Sequence, residues 1–205
     1  MHRAGQTLQA SLPELSTTRR SELEEGKNHK IRVGFVSAHF RRHTVNKLFS
    51  GWIRELDRSQ FDVSVFHIGP WLDLDSRTLA HHATLHHVPG QLEHTAARIA
   101  QEGFDVLIYP EVGMDADVLR LASLRLAPLQ CMAWGHPVTS GLPSIDLFLT
   151  SEAMEPENSE GEFTEEIVRL PGLSVCLQRP PKLSDGLERG GLQLPADRVI
   201  ALSCQ

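Results

Sequence analysis

IRVGFVSAHFRRHTVNKLFSGWIRELDRSQFDVSVFHI, residues 31–68, decides the fold. It opens on a near-continuous run of β-branched and aromatic residues, Ile31 to Ser37. A polar turn follows, then helical period from Thr44 to Leu56, then a second apolar run from Asp62 to Ile68. A run apolar on both faces suits the middle of a parallel sheet, and a helix between two such runs is the crossover that parallel pairing needs. The alternation continues outward. Helical period recurs over Leu72 to Ala83, Leu92 to Gln101 and Asp117 to Leu124, and short apolar runs fall at Leu85 to Val88, Val106 to Tyr109, Leu129 to Trp134 and Ile145 to Thr150. The pattern predicts an α/β fold over residues 30–170, a doubly wound, mainly parallel, Rossmann-like sheet.

The flanks differ. Residues 1–29 are polar and rich in Ser, Thr, Glu and Arg, which predicts a polar linker or disordered tail. After Thr150 comes the acidic, loop-like SEAMEPENSEGEFTEE, then Val168 to Leu170, then the Pro- and Gly-rich LQRPPKLSDGLERGGLQLP. Residues 171–205 therefore read as a connector ending in the first strand, Arg198 to Ser203, of a truncated second domain.

Composition narrows the function. With 20 basic against 26 acidic residues the net charge is -6, which argues against a general nucleic-acid binder. No apolar run reaches the roughly 20 residues of a membrane span, and the amino terminus lacks a secretory apolar stretch, so a cytoplasmic location is expected. Cys131, Cys176 and Cys204 form no C-x-x-C pair, and the pairs His81-His82 and His86-His87 have no partner at an established ligand spacing. No metal site is expected.

In a doubly wound sheet, ligands sit where strands end and helices begin. The first strand exits through Ser37-Ala38-His39-Phe40-Arg41-Arg42-His43-Thr44. Its two histidines and two arginines stand where helix-end amides favour an anion. Histidine there serves as general base or as hydrogen-bond donor to phosphate, and His43 or Thr44 equally serves as a helix cap. The fourth strand exits through Tyr109-Pro110-Glu111-Val112-Gly113-Met114, which offers Glu111 to hydroxyl groups beside a glycine turn at Gly113. The fifth exits through Trp134-Gly135-His136-Pro137-Val138-Thr139-Ser140-Gly141, where Gly135 permits close backbone approach and His136, Thr139 and Ser140 supply compact polar groups. No G-x-S-x-G elbow is present, which disfavours a hydrolase.

The stretches AHFRRH (38–43), RLAPLQCMAWGHPVTSGLPSIDLFLTSE (125–152) and EEIVRLPGL (165–173) together resemble the catalytic region of the bacterial branch of the O-linked N-acetylglucosamine transferase/SPINDLY family. The resemblance spans about residues 30–205 and implies the first domain of a two-domain GT-B glycosyltransferase, usually preceded by tetratricopeptide repeats. Such enzymes transfer a sugar from a UDP-sugar to a protein or peptide hydroxyl without a required metal or other cofactor. By resemblance His43, with His39 beside it, stands at the reaction centre. Gly135 and Pro137 line the donor and acceptor cleft with Thr139 and Ser140 beside them, and Gln205 contacts the uridine diphosphate. The family's acidic residue is replaced by His39, and its Pro-Thr pair by Thr44-Val45. The resemblance extends to related bacterial enzymes that glycosylate asparagine in adhesins, so a hydroxyl and an amide acceptor both stay open. The implied function is the acceptor-side half of a UDP-sugar-dependent protein glycosyltransferase. It would have little activity without its C-terminal catalytic domain; a non-catalytic peptide- or nucleotide-binding module is the alternative.

Overall fold

The computed structural model describes residues 30–178 and 188–201. The expected tail (1–29), the middle of the connector (179–187) and Gln205 lie outside them.

Among the described residues seven strands form one sheet: β1 (Ile31–Ser37), β2 (Phe61–His67), β3 (Thr84–His87), β4 (Val106–Tyr109), β5 (Leu129–Ala133), β6 (Leu147–Ser151) and β7 (Glu166–Leu170). Their order is β3-β2-β1-β4-β5-β6-β7, and every pairing is parallel. Successive side chains on a strand point to opposite faces, and both faces here are apolar. Val33, Phe35, Val63 and Val65 pack with Ile53 of α1 (Thr44–Glu55) and Leu79 of α2 (Leu74–Leu79). Val36, Phe66, Leu107 and Tyr109 pack with Ile99 of α3 (Leu92–Glu102) and Val118 and Leu121 of α4 (Ala116–Ala122). The two helix pairs thus cover opposite faces. Winding reverses between β1 and β4, which makes their carboxyl ends the switch point of the sheet.

Helix α2 is shorter than the period over 72–83 predicts. Asp73 starts it with a reciprocal capping box, accepting from the Ser76 amide at 2.9 Å while its own amide donates to Ser76 Oγ at 3.2 Å. Beyond Ala80 the chain turns to feed β3, held by Arg58 Nε donating to the His82 carbonyl at 3.1 Å. The short apolar stretch Val168 to Leu170 extends back to Glu166 and becomes the edge strand β7, with Ile167 opposite Phe148.

Residues 173–177 lie back across α1: the indoles of Trp52 and Trp134 donate to the Ser174 carbonyl and hydroxyl at 2.7 and 2.8 Å. Arg198 to Ser203, expected as a fresh strand, is bend and coil over its described residues 198–201, and Val199 is 98% exposed. An apolar segment with no neighbouring ladder has nowhere to place its backbone groups as a strand. Among the described residues no helix is long and apolar enough to cross a membrane.

Candidate functional site

Because β1, β4 and β5 are consecutive and parallel, their exits share one edge of the sheet. Three contacts bind those exits together. Ser37 Oγ at the end of β1 donates to Glu111 Oε1 beyond β4 at 2.5 Å. Gly113 adopts φ +103°, and a Cβ there would stand 2.7 Å from Cδ2 of His136 beyond β5. Gly135 lies so close to the Pro110 carbonyl and to Phe49 of α1 that a side chain would collide with both. Both glycines are therefore required by geometry, Gly113 by its left-handed φ and Gly135 by close approach.

The β1 exit folds tightly. The His39 amide donates to Ser37 Oγ at 2.8 Å, and the imidazoles of His39 and His43 stack with centroids 4.3 Å apart. His43 is the N-cap of α1, its Nδ1 accepting from the Val45 amide at 3.2 Å. Burial, reinforced by Arg41, lowers the pKa of His43. Burial, then His43 and Arg41, lowers that of His39, against which Asp115 pulls upward. Both rings are held toward the neutral form. Since Nδ1 of His43 accepts, the neutral ring carries its proton on Nε2, a donor suited to phosphate or sugar oxygen. The sequence left base, donor and cap open for His43. The cap is formed, and it favours the donor over the base.

Around the pair, the Arg41 guanidinium lies 5.3 Å from the Trp71 ring, and the Arg42 amide donates to Asp73 Oδ2 at 2.7 Å. His43 lines a cavity of about 490 Å³ with Arg42, Lys47, Arg54 and His82. His39 lines a second, of about 450 Å³, with Arg41, Trp71, Asp115 and Asp117. The stacked pair thus faces two openings.

Glu111 is fully buried. Its carboxyl is pushed up to about 8 by burial; the Ser37 hydroxyl and the Ala38 amide pull it down, and Asp115 pushes it further up. The hydroxyl it accepts from in this structure is the chain's own. Thr139 and Ser140 are likewise engaged internally. Glu165 accepts from Thr139 Oγ1 at 2.7 Å, from the Ser140 amide at 2.9 Å and from the Ser140 hydroxyl. Ser140 is 1% exposed, whereas Pro137 and Val138 are exposed and form the outer part of the loop. Ser37 and Glu165 stand inside stretches that the sequence marks, but the roles of their side chains depend on partners 74 and 25 residues away and are not predicted by those stretches. Asp115 carries a local signal, a capping carboxylate whose Oδ1 accepts from the Asp117 and Val118 amides.

The family model described as Glycosyl transferase family 41 matches residues 15–174. A UDP-N-acetylglucosamine--peptide N-acetylglucosaminyltransferase of Caenorhabditis elegans is 27% identical over 147 residues, 69% of this chain and 13% of that protein. A probable UDP-N-acetylglucosamine--peptide N-acetylglucosaminyltransferase SPINDLY of Arabidopsis thaliana is 25% identical over 160 residues, 74% of this chain and 17% of that protein. The solved structure of a Thermobaculum terrenum O-GlcNAc transferase mutant, K341M, superposes with a TM-score of 0.70 at 24% identity, over 76% of this chain and 30% of that one. This chain therefore corresponds to a minor part of the length of each.

Proposed function

That this chain belongs to glycosyl transferase family 41 is the premise from which we propose its function: the acceptor-side half of a UDP-sugar-dependent protein glycosyltransferase. N-acetylglucosamine or a hexose is the sugar and a Ser or Thr hydroxyl of a cytoplasmic protein the acceptor. One observation supports the reading above the others. The exits of β1, β4 and β5 bring the His39–His43 pair, the Gly113 turn and the Gly135–His136 loop to one edge at the switch point of a parallel sheet. That edge forms one wall of a cleft. A second domain supplies the other, including the diphosphate contacts to which Gln205 belongs by resemblance, and helical repeats precede the pair in the full protein.

In this reading an acceptor oxygen attacks the anomeric carbon in line with the departing diphosphate, the bond from that carbon to the diphosphate breaks as the new one forms, and the acceptor proton passes to solvent. Holding acceptor and donor at near-attack distance supplies much of the rate. His43 Nε2–H donates to donor oxygen, and Arg41, Arg42 and the first amides of α1 favour the developing negative charge. Gly113 and Gly135 let the exits of β4 and β5 close on each other. No metal is assigned a part.

The test is incubation of the purified chain with radiolabelled UDP-N-acetylglucosamine or UDP-glucose and peptide panels carrying Ser, Thr or Asn. We expect peptide binding with transfer at or near background, and in a longer protein containing this domain a loss of about 10²-fold in kcat/KM for His43→Ala, as for one lost transition-state donor. Transfer by the chain alone at enzymatic rates would contradict the half-site reading. Binding of neither peptide nor UDP-sugar would remove the function altogether.

A further inference from the structure

Glu111 differs in kind from the other residues at the rim. It is fully buried, and its Oε2 has no hydrogen-bond partner among the described residues. The groups that act on it are the Ser37 hydroxyl, the Ala38 amide, the carboxylate of Asp115 and its own backbone amide, none of them a cation. A buried carboxyl without a countercharge is tolerated as the neutral acid, which still accepts a hydrogen bond. Its bonds run in one direction. From the end of β4 it reaches Ser37 Oγ at 2.5 Å, Ser37 Oγ takes the His39 amide at 2.8 Å, and the His39 ring stacks on His43 at 4.3 Å.

We propose that Glu111 is the positioning residue of this edge: its carboxyl ties the exit of β4 to the exit of β1, and through Ser37 it sets where the His39–His43 pair stands. The inference depends on this geometry and not on which sugar, acceptor or reaction the chain serves. Ionisation of Glu111 would place a second negative charge beside Asp115 and oppose it to the groups that surround His39, namely Arg41, His43 and His67. The pair should therefore sense the protonation state of a residue it does not touch.

Histidine ring resonances of the whole 205-residue chain, followed by two-dimensional NMR from pH 5 to 9.5 and assigned with His39→Asn, test this. In the wild type we expect His39 to titrate below 6.5 and to show a second, smaller inflection near pH 8. In Glu111→Gln, which keeps the acceptor and cannot ionise, the second inflection should vanish while the stacked-ring shifts at pH 6.5 stay those of the wild type. In Glu111→Ala the tie is lost, so both ring shifts should move and the His39 pKa should rise toward 6.5. A wild type without the upper inflection, its survival in Glu111→Gln, or a folded Glu111→Ala with unchanged His39 and His43 shifts would each overturn the proposal. Should Glu111→Ala fail to fold, the comparison of wild type with Glu111→Gln decides.

Discussion

A histidine that caps a helix has two roles that can be separated by substitution. At His43 the capping bond is Nδ1 to the Val45 amide, and asparagine is among the best residues for that bond. His43→Ala should lower stability by about 1 kcal/mol and His43→Asn by no more than a few tenths, measured by urea unfolding. Any ligand binding or transfer lost in both variants then belongs to the imidazole and not to the helix. Equal destabilisation by Ala and Asn would mean that the cap contributes nothing. Glu165 offers the opposite case, a carboxylate with a purely internal task. It is 5% exposed and holds the Thr139 hydroxyl together with the amide and hydroxyl of Ser140, which is itself buried. Glu165→Ala strands the buried amide and hydroxyl of Ser140, each at about 1–3 kcal/mol, so a loss of about 2–6 kcal/mol is expected, with Glu165→Gln intermediate. A cost under about 1 kcal/mol in the Ala variant would show that the loop finds other partners.

At the scale of elements, α1 is the hinge of the layout. One face buries Val45, Phe49 and Ile53 at helical spacing, and another receives the connector. A Cβ on Gly51 would stand 2.6 Å from Cys176 Cβ, so this glycine sits at a docking surface and not in a flexible stretch. Glycine to alanine inside an exposed helix usually adds up to about 1 kcal/mol. Here Gly51→Ala should instead displace residues 173–177 and weaken the indole bonds of Trp52 and Trp134 to Ser174. The readouts are a red shift in tryptophan emission and faster proteolysis within the connector; stabilisation with unchanged emission would refute the docking. The same helix shows which parts of the fold the sequence carries openly. Ile31 to Ser37 and Phe61 to His67 are buried on both faces, so composition alone marks them. The edge strand β7 interleaves Glu166 and Arg169 with apolar residues and is only half-buried, so no run announces it. The candidate site divides likewise. His39, His43, Gly113 and Gly135 are legible because a strand exit rich in histidine or glycine is locally unusual. Ser37 and Glu165 are not, because their meaning lies in partners 74 and 25 residues away.

The molecule as a whole carries two opposed titrations, and their signs fix how its stability varies with pH. His39, His43 and His67 all have pKa values lowered chiefly by burial. Below about 6.5 the unfolded chain takes protons that the folded chain resists, so stability falls as pH falls through that window. Glu111 works the other way. Folded, it keeps its proton up to about 8, whereas unfolded it releases it near 4.5, so between those values the folded state binds the extra proton and stability falls as pH rises. One such group changes stability by at most about 1.4 kcal/mol per pH unit. Asp73 and Glu160, both lowered, act only below the ordinary carboxylate range and leave this window untouched. Unfolding free energy should therefore peak near pH 6.5 and decline by up to about 2 kcal/mol toward pH 8, then flatten. Glu111→Gln should abolish the alkaline decline and steepen the acid limb, which Glu111 opposes in the wild type, while His67→Gln should lessen the acid limb alone. Urea unfolding of the three proteins at half-unit steps from pH 5 to 9 measures both limbs; an alkaline decline that persists in Glu111→Gln would place its origin in some other group and remove Glu111 from the account of how this edge is held.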